Sequence, residues 1–396
     1  MPIVSQRGAS LPSSPIRKLA PLADAAKKEG VKVYHLNIGQ PDLPSPRKGL
    51  EALRNLDRIT LEYSPSDGLA SFRETLVHYY RKFGAEVSPD EIIVTCGGSE
   101  AVLLSFLSCL NPGDEVVMAE PGYANYISFA NTAGAKVRTV TSRIENGFAL
   151  PPVEAFEDAI TPATRAILLC NPSNPTGYVY TASELQQIKE IVKKHDLFLF
   201  SDEVYREFVY NGVPYVSALT LGIPENVIII DSVSKRYSEC GVRVGMLVTK
   251  NRQVHDTVMK YCQARLSPPL LGQLVAQASV EGTEDYARAC FDEYKARRDF
   301  FIKGLNEIPG VYSPMPDGAF YTVASLPVED TEDFCRWLLT DFRLDGETLM
   351  MAPAAGFYAT PGLGKNQVRM AYVLEINELA KALNVLRAAL EAYNAR

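Results

Sequence analysis

The sequence has few metal-binding residues and no apolar run long enough to span a membrane. Its 396 residues include four histidines without an H-x-x-x-H spacing and seven cysteines without a C-x-x-C pair. We therefore expect no zinc site, and the odd cysteine count favours reduced, buried thiols. No stretch approaches 18 consecutive apolar residues, and residues 1–15 lack the apolar core of an export signal. These absences predict a cytoplasmic protein without a membrane span.

The charge balance argues against nucleic-acid or anionic-membrane partners. Lys and Arg number 40 against 47 Asp and Glu, a formal net charge of −7. A broad basic surface is therefore not expected. With 46% hydrophobic and 22% charged residues, the composition is that of an ordinary folded protein. The length suggests about two to three structural units.

From about residue 68, predicted helices and short apolar strands alternate along the chain. The helices are predicted over 68–83, 99–110 and 182–195, and the strands over 91–95, 115–119, 166–170, 197–201, 227–231 and 245–249. The later strands are apolar on both faces, as in parallel sheets covered by helices. The pattern predicts an α/β fold with a mostly parallel central sheet between helices.

The pattern changes near residue 283, which indicates a second, smaller α+β unit. The predicted elements there are a charged helix to about 307, strands over 319–324 and 369–373, and a final helix over 378–393. We expect the N-terminal segment, with an apolar stretch over 33–37, to pack with them. The predicted division is a large domain over 46–285 and a small domain made of 1–45 and 286–396.

A lysine follows one of the apolar strands after two small hydroxyl residues. Lys235 comes shortly after the strand that ends at Asp231, and Arg243 lies eight residues further on. A lysine that points into a cleft can attack a carbonyl compound. A surface lysine is the ordinary alternative, but the second cation nearby favours a site.

Two further motifs follow neighbouring strands. The segment Asn171-Pro-Ser-Asn-Pro-Thr-Gly177 forces a defined turn, and Asp202-Glu-Val-Tyr205 follows the next strand. Open α/β sheets bind ligands at the carboxyl ends of their strands. Asp202 could hold a cation or a protonated ring nitrogen, and Tyr205 could donate a hydrogen bond. A salt bridge between Asp202 and Arg206 is the alternative.

A glycine-rich turn joins a strand to a helix and could bind an anion. Gly98, Ser99 and Glu100 would offer backbone N–H groups at the helix N-terminus. The turn lacks the lysine of a Walker motif and the G-x-G-x-x-G spacing, and a simple helix cap explains it nearly as well. Tyr123 could stack on a planar ring or be a half-buried loop residue.

Taken in chain order, these motifs resemble the fold-type I, pyridoxal-phosphate-dependent aminotransferases of class I and II, above all the bacterial aspartate aminotransferases. The resemblance runs from about residue 15 to the C-terminus. It rests on Gly98-Ser99, Asn171–Gly177, Asp202–Tyr205, Ser232-x-x-Lys235 with Arg243, Gly318-Ala-Phe-Tyr321 and Val368-Arg369.

The resemblance implies how pyridoxal 5′-phosphate would be held. Lys235 would anchor the cofactor covalently and act as general base, and Asp202 would pair with the ring nitrogen. Tyr205 would bind the ring hydroxyl. The other implied cofactor contacts are Asn174 at the ring hydroxyl, Tyr123 on the ring face, and Gly98, Ser99, Glu100, Ser232, Arg243 and Tyr63 at the phosphate. Tyr63 would come from a neighbouring subunit, which implies a homodimer with shared sites.

The resemblance also implies the substrate contacts. Arg369 would bind the α-carboxylate, with Gly39, Tyr123 and Asn174 in the same pocket. For a distal carboxylate we expect Arg265, entering the active site of the partner subunit. No assured match exists for that role.

The expected activity is amino transfer between an L-amino acid and a 2-oxo acid by ping-pong half-reactions in amino acid metabolism. Aspartate with 2-oxoglutarate is the first pair. Aromatic, alanine or methionine aminotransferases and β-elimination lyases share the lysine and differ in pocket shape. A ligand-sensing transcription regulator would need a DNA-binding domain, and about 14 residues precede the matching region. A binding protein without activity would be expected to lose Lys235, Asp202 or Arg369, and all three are present.

Overall fold

The structure is a computed structural model that describes residues 2–9, 11–57, 60–282 and 284–396. In the described residues its strands are β1 (Lys32–His35), β2 (Ile92–Thr95), β3 (Glu115–Glu120), β4 (Lys136–Thr141), β5 (Thr164–Cys170), β6 (Phe198–Asp202), β7 (Val227–Ser232), β8 (Gly245–Thr249), β9 (Tyr321–Ser325), β10 (Glu347–Met350), β11 (Ala352–Pro353) and β12 (Gln367–Ala371).

The α-helices of the same ranges surround these strands. They span Gln6–Ala9, Ala20–Lys28, Arg47–Arg54, Ala70–Arg81, Gly98–Cys109, Asn125–Ala133, Val153–Ala159, Ala182–His195, Val233–Arg236, Arg252–Arg265, Leu270–Val280, Glu284–Asn306, Thr331–Thr340 and Ile376–Asn394.

The central sheet has the strand order β2-β8-β7-β6-β5-β3-β4. Neighbouring strands from β7 to β4 run parallel, which confirms the predicted α/β fold with a mostly parallel sheet. Strand β8 runs antiparallel to both β2 and β7. Its apolar pattern does not reveal this direction, because a central strand is buried on both faces whichever way it runs.

The helix Ala182–His195 shows how local sequence sets the boundaries of an element. The Thr181 hydroxyl accepts from the Glu184 amide at 3.2 Å, and the Glu184 carboxylate accepts from the Thr181 amide at 2.7 Å. This capping box satisfies two N–H groups that the first turn leaves free. The predicted helix is confirmed at both ends, since Asp196 adopts a left-handed conformation that stops it.

Two smaller sheets lie outside the central sheet, and one of them joins both ends of the chain. Strand β1 pairs in parallel with β10, so the N-terminal segment packs with the C-terminal part as expected. Strands β11, β12 and β9 form an antiparallel sheet with Arg369 on its middle strand. The domain boundaries at 45/46 and 285/286 stay predictions.

The sequence also predicts reduced, buried cysteines and the absence of a membrane span. All seven cysteines are free, and Cys170, Cys262, Cys290 and Cys335 are buried. Within the described ranges, no helix is both long and apolar enough to cross a bilayer.

Candidate active site

A cavity of about 420 Å³ lies where three neighbouring strands of the central sheet end. Cys170, Asp202 and Ser232 are the last residues of β5, β6 and β7 and line it together. Because these strands are parallel neighbours, their carboxyl ends lie at the same sheet edge. Predicted site residues that are distant in sequence therefore meet in one place. Those that line it are Gly39, Gly98, Ser99, Tyr123, Asn174, Asp202, Tyr205, Ser232, Lys235, Arg243 and Arg369.

Lys235 extends its amine into this cavity from a short helix. The helix Val233–Arg236 begins directly after β7, where the Ser232 hydroxyl accepts from the Ser234 amide at 3.0 Å. The Lys235 Nζ donates to the Gly39 carbonyl at 2.9 Å and lies 3.9 Å from the Cys240 sulfur. No carboxylate of the described residues forms an ion pair with it, so the amine is available to a ligand.

The Asp202 carboxylate is buried and accepts from neutral groups. The Tyr126 hydroxyl donates to it at 2.6 Å and the Val204 amide at 3.3 Å. Burial raises the pKa of Asp202 to about 6, because a carboxylate loses hydration inside the protein. In the described part of the chain it has no cationic partner. A cation at this position would stabilise the ionised form.

The alternative of an Asp202–Arg206 salt bridge is wrong. The Arg206 guanidinium lies 3.1 Å from Glu203 and 3.4 Å from Asp231, and the side chains of all three are fully buried. Glu203 also accepts from the Ala218 amide at 2.8 Å. Glu203, the first residue after β6, thus takes the structural ion pair, while Asp202 at the end of the strand lines the cavity.

Hydroxyl and amide groups line the wall above Asp202. The Tyr205 hydroxyl lies 3.0 Å from that of Tyr321 and accepts from the Asn174 amide at 3.5 Å. Burial raises the pKa of Tyr205 far above its ordinary value, so its hydroxyl remains a donor. The Tyr123 hydroxyl accepts from Asn125 at 2.7 Å, and burial raises its pKa to about 12.

Arg243 lies beside the N-terminus of the helix Gly98–Cys109. Arg243 packs against Gly97, where any Cβ would overlap its guanidinium, and donates to the Cys96 carbonyl at 3.2 Å. Gly98 and Ser99 face the same cavity. The helix N-terminus and the guanidinium both favour a negatively charged group, and the phosphate contacts of this turn stay predictions.

Arg369 is buried beside the cavity without an acidic partner among the described residues. Its guanidinium donates to the carbonyl of Asn37 and reaches the Asn174 amide oxygen at 3.5 Å. It lies over the Tyr321 ring at 4.7 Å from the centroid. Burial lowers its pKa, because the guanidinium loses hydration and no carboxylate of the described residues replaces it. This arrangement suits a carboxylate from a ligand, not a structural ion pair.

Three predicted site residues lie outside the cavity lining. The Glu100 carboxylate accepts from the Cys96 amide at 2.7 Å and from Arg265 at 2.8 Å. Arg265 also donates to the Ser66 carbonyl at 2.7 Å. Tyr63 is 76% exposed. The predicted roles of Tyr63 and Arg265 concern a neighbouring subunit and stay predictions, as does the phosphate contact of Glu100.

Sequence reasoning missed two contacts of the site. Tyr126 holds Asp202, and Asn37 accepts from Arg369. Tyr126 could have been found, since it follows Tyr123 by one helical turn at the start of a helix. Asn37 acts through a backbone carbonyl, which any residue type could provide.

The donor set fits one kind of cofactor: a phosphorylated aromatic aldehyde with a basic ring nitrogen. Lys235 provides an amine for the aldehyde, and Asp202 provides a buried carboxylate that lacks a cation. Arg243 and the helix N-terminus provide an anion site for the phosphate. These groups line a single cavity, as a ligand with all three features requires.

Comparisons with known proteins agree with this description. Residues 31–386 match the family described as aminotransferase class I and II. The Bacillus subtilis protein YugH is 33% identical over 376 residues, covering 93% of this chain and 94% of YugH. The aspartate aminotransferase of Pyrococcus horikoshii is 30% identical over 98% of this chain and 97% of its own length. An alanine aminotransferase structure from Pyrococcus furiosus has a TM-score of 0.90 at 29% identity, covering 98% of this chain and all of that one.

The fold and site thus define a pyridoxal-phosphate-dependent enzyme of fold type I. The chain belongs to the class I and II aminotransferases, and it is a transaminase.

Proposed function

We propose that this aminotransferase moves an amino group between a dicarboxylic L-amino acid, aspartate first, and a 2-oxo acid such as 2-oxoglutarate. The observation that carries the proposal is the meeting of the Lys235 amine, the Asp202 carboxylate and the Arg369 guanidinium around one cavity. Among the described residues, neither Asp202 nor Arg369 has an oppositely charged partner. Pyridoxal phosphate, when bound, supplies an electron-withdrawing ring that stabilises negative charge on the substrate α-carbon.

Each part of the cofactor has a matching group in the chain. Lys235 would hold the aldehyde carbon, and Asp202 would keep the ring nitrogen protonated. Asn174 and Tyr205 would donate to the ring hydroxyl oxygen, while Tyr123 would flank the ring. Gly98, Ser99, Glu100, Ser232 and Arg243 would bind the phosphate.

The chain's own residues position the substrate and move its proton. Arg369 would bind the α-carboxylate bidentately, supported by its rigid contact with Asn37. Lys235, once released by the substrate amine, would take the proton from the substrate α-carbon at its Nζ. It would then give this proton to the carbon of the cofactor that carried the aldehyde. The Gly39 carbonyl, which holds Nζ at 2.9 Å, would orient this base.

A homodimer with shared sites is part of the proposal. Tyr63 is exposed, as a side chain that reaches a neighbouring subunit must be before assembly. Sedimentation of the holoenzyme should show a dimer. Tyr63→Phe should weaken cofactor affinity without dissociating the dimer.

A cytoplasmic location also stays a prediction, which cell fractionation would test.

Other substrates remain alternatives on the same scaffold. An alanine aminotransferase shares the fold with a TM-score of 0.90, which favours testing alanine beside aspartate. Aromatic and methionine transaminases and β-elimination lyases use the same lysine. A lyase would release ammonia and an oxo acid without needing a 2-oxo acid acceptor. A regulatory or binding protein is a distant alternative.

The test joins cofactor attachment with donor choice. Holoenzyme reduced with borohydride should carry the cofactor mass on the peptide that contains Lys235, and Lys235→Ala should not. Single L-amino acids are then added while the cofactor absorbance is followed. Rapid conversion by aspartate and glutamate supports the proposal. Conversion by alanine or aromatic donors alone would contradict the proposed dicarboxylic substrate. An unmodified Lys235 peptide in the reduced holoenzyme would contradict the proposed role of Lys235.

A further inference from the structure

The charged residues around the active-site cavity are mostly cationic. Among its described lining residues, Arg17, Lys235, Arg243 and Arg369 are cationic and only Asp202 is acidic. Such a lining favours ligands with several negative charges. Under the proposed function, Lys235 binds the cofactor, Arg243 its phosphate and Arg369 the α-carboxylate. Arg17 is the cation left without a ligand.

The segment that carries Arg17 is anchored to the same residue as Arg369. The Asn37 side chain donates to the Ile16 carbonyl at 2.9 Å, and the Asn37 carbonyl accepts from the Arg369 guanidinium. Asn37 itself is buried. The Arg17 amide closes a turn on the Ser14 carbonyl at 3.1 Å. The backbone beside Arg17 and the Arg369 guanidinium thus bind the same buried asparagine.

Arg17 has no acidic partner in the described part of the chain, whereas Lys18 pairs with Glu332. Its positive charge reaches Arg369 and Tyr123 and helps to lower the pKa of Arg369, after the larger effect of burial. Arg17 is exposed and lines the same cavity as Arg369, so two positive charges that disfavour each other share this cavity. A ligand with two carboxylates would relieve this repulsion, one carboxylate on each cation.

We infer that Arg17 binds the side-chain carboxylate of a dicarboxylic substrate whose α-carboxylate lies on Arg369. This inference rests on the proposed function and names the residue that sets its substrate class. Arg265, predicted from the sequence for this role, is committed to Glu100 and Ser66 within its own chain. Arg17 lies in the lining and has no acidic partner among the described residues.

The test compares Arg17→Ala and Arg17→Lys with Lys28→Ala, an exposed control outside the lining. Binding of succinate and butyrate to each holoenzyme is measured by calorimetry, since these acids share four carbons and differ by one carboxylate. Arg17→Ala should weaken succinate binding by about 10- to 100-fold, the range of one charged contact. Butyrate binding should stay unchanged, and Arg17→Lys should recover part of the loss.

Steady-state kinetics give a second readout. The kcat/KM of Arg17→Ala should fall about 10- to 100-fold for aspartate and stay within about twofold for alanine. Equal losses for both donors, or none, would overturn the assignment. A wild-type holoenzyme that transaminates alanine but does not prefer succinate to butyrate would also overturn it, and the aminotransferase function would still stand. A wild-type holoenzyme without any transamination would mean that the proposed function has failed first.

Discussion

The Tyr126 hydroxyl donates a 2.6 Å hydrogen bond to Asp202, a buried carboxylate that no cation of the described residues neutralises. This donor and the Val204 amide offset part of the lost hydration, and the pKa of Asp202 still rises to about 6. The folded chain alone therefore holds this carboxylate in an unfavourable state. A bound ligand with a protonated nitrogen would remove the penalty.

The first prediction concerns the pH dependence of stability. The Asp202 pKa lies near 6 in the folded protein and near an ordinary value of about 3.9 in the unfolded chain. The folded state binds the Asp202 proton more tightly than the unfolded chain does. The contribution of Asp202 to the free energy of unfolding therefore falls as pH rises between those two pKa values. Asp202→Asn removes the penalty and should stabilise the cofactor-free protein by up to about 3 kcal/mol at pH 8.

Urea unfolding of the cofactor-free proteins at pH 4.5 and pH 8 checks this expectation. The advantage of Asp202→Asn should be roughly threefold smaller at pH 4.5, where the folded carboxyl is mostly protonated. Asp158→Asn, at an exposed position, should show no such change. An equal gain in unfolding free energy for Asp202→Asn at both pH values would mean that burial does not destabilise the Asp202 carboxylate. The rate of amino transfer by Asp202→Asn should fall by roughly 10²-fold or more.

The second prediction concerns the close approach of the Gly39 backbone to Tyr321. A Cβ atom at Gly39 would overlap the Tyr321 ring and hydroxyl, so one of the two must move. Either movement disturbs the carbonyl that holds Lys235 or the hydroxyl pair with Tyr205. Gly39→Ala should lower kcat/KM by roughly tenfold or more. Gly241→Ala, which meets open space, should stay within about twofold.

The third prediction concerns the buried Arg206. Replacing it with Met leaves Glu203 and Asp231 with less compensation inside the protein. The free energy of unfolding should fall by about 3–5 kcal/mol, measured by urea unfolding of the holoenzyme. Arg47→Met, which breaks an exposed pair with Glu51, should cost less than about 1 kcal/mol. Similar losses for both variants would contradict the assignment of Arg206 to a buried network.

The fourth prediction separates the two arginines considered for a distal carboxylate. If Arg17 binds it, Arg265→Ala should change kcat/KM for aspartate and alanine by the same factor. Glu100→Gln breaks the same intrachain ion pair and should mimic the effect. A loss confined to aspartate in Arg265→Ala, absent in Glu100→Gln, would restore the sequence-based prediction.

Much of the fold could be predicted because local sequence and buried surface agree. The helix Ala182–His195 has a capping box at one end, and its apolar positions repeat at helical spacing. Strands β5, β6 and β7 are apolar on both faces, so a covered parallel sheet was expected. The position of Lys235, Asp202 and Asn174 near strand ends then placed them at one sheet edge.

Pairings between distant segments could not be predicted in the same way. The direction of β8 depends on which strands lie beside it, and a buried apolar strand suits either direction. The contact of Arg369 with the Asn37 carbonyl depends on the β1–β10 sheet, which joins both ends of the chain, and on the separate sheet that carries Arg369. No local pattern marks a backbone acceptor.

By itself, the sequence determined elements such as the helix Ala182–His195 and strands β5, β6 and β7, together with the set of chemical groups, because spacing and caps act over a few residues. Only the tertiary structure decided which carboxylate is structural and which is free for a ligand. Asp202 and Glu203 are adjacent in sequence, yet Arg206 reaches only the second. Likewise, only tertiary packing placed Arg17 in the lining of the active-site cavity and paired Arg265 with Glu100. Charge compensation is a property of neighbours in space, and those neighbours come from distant parts of the chain.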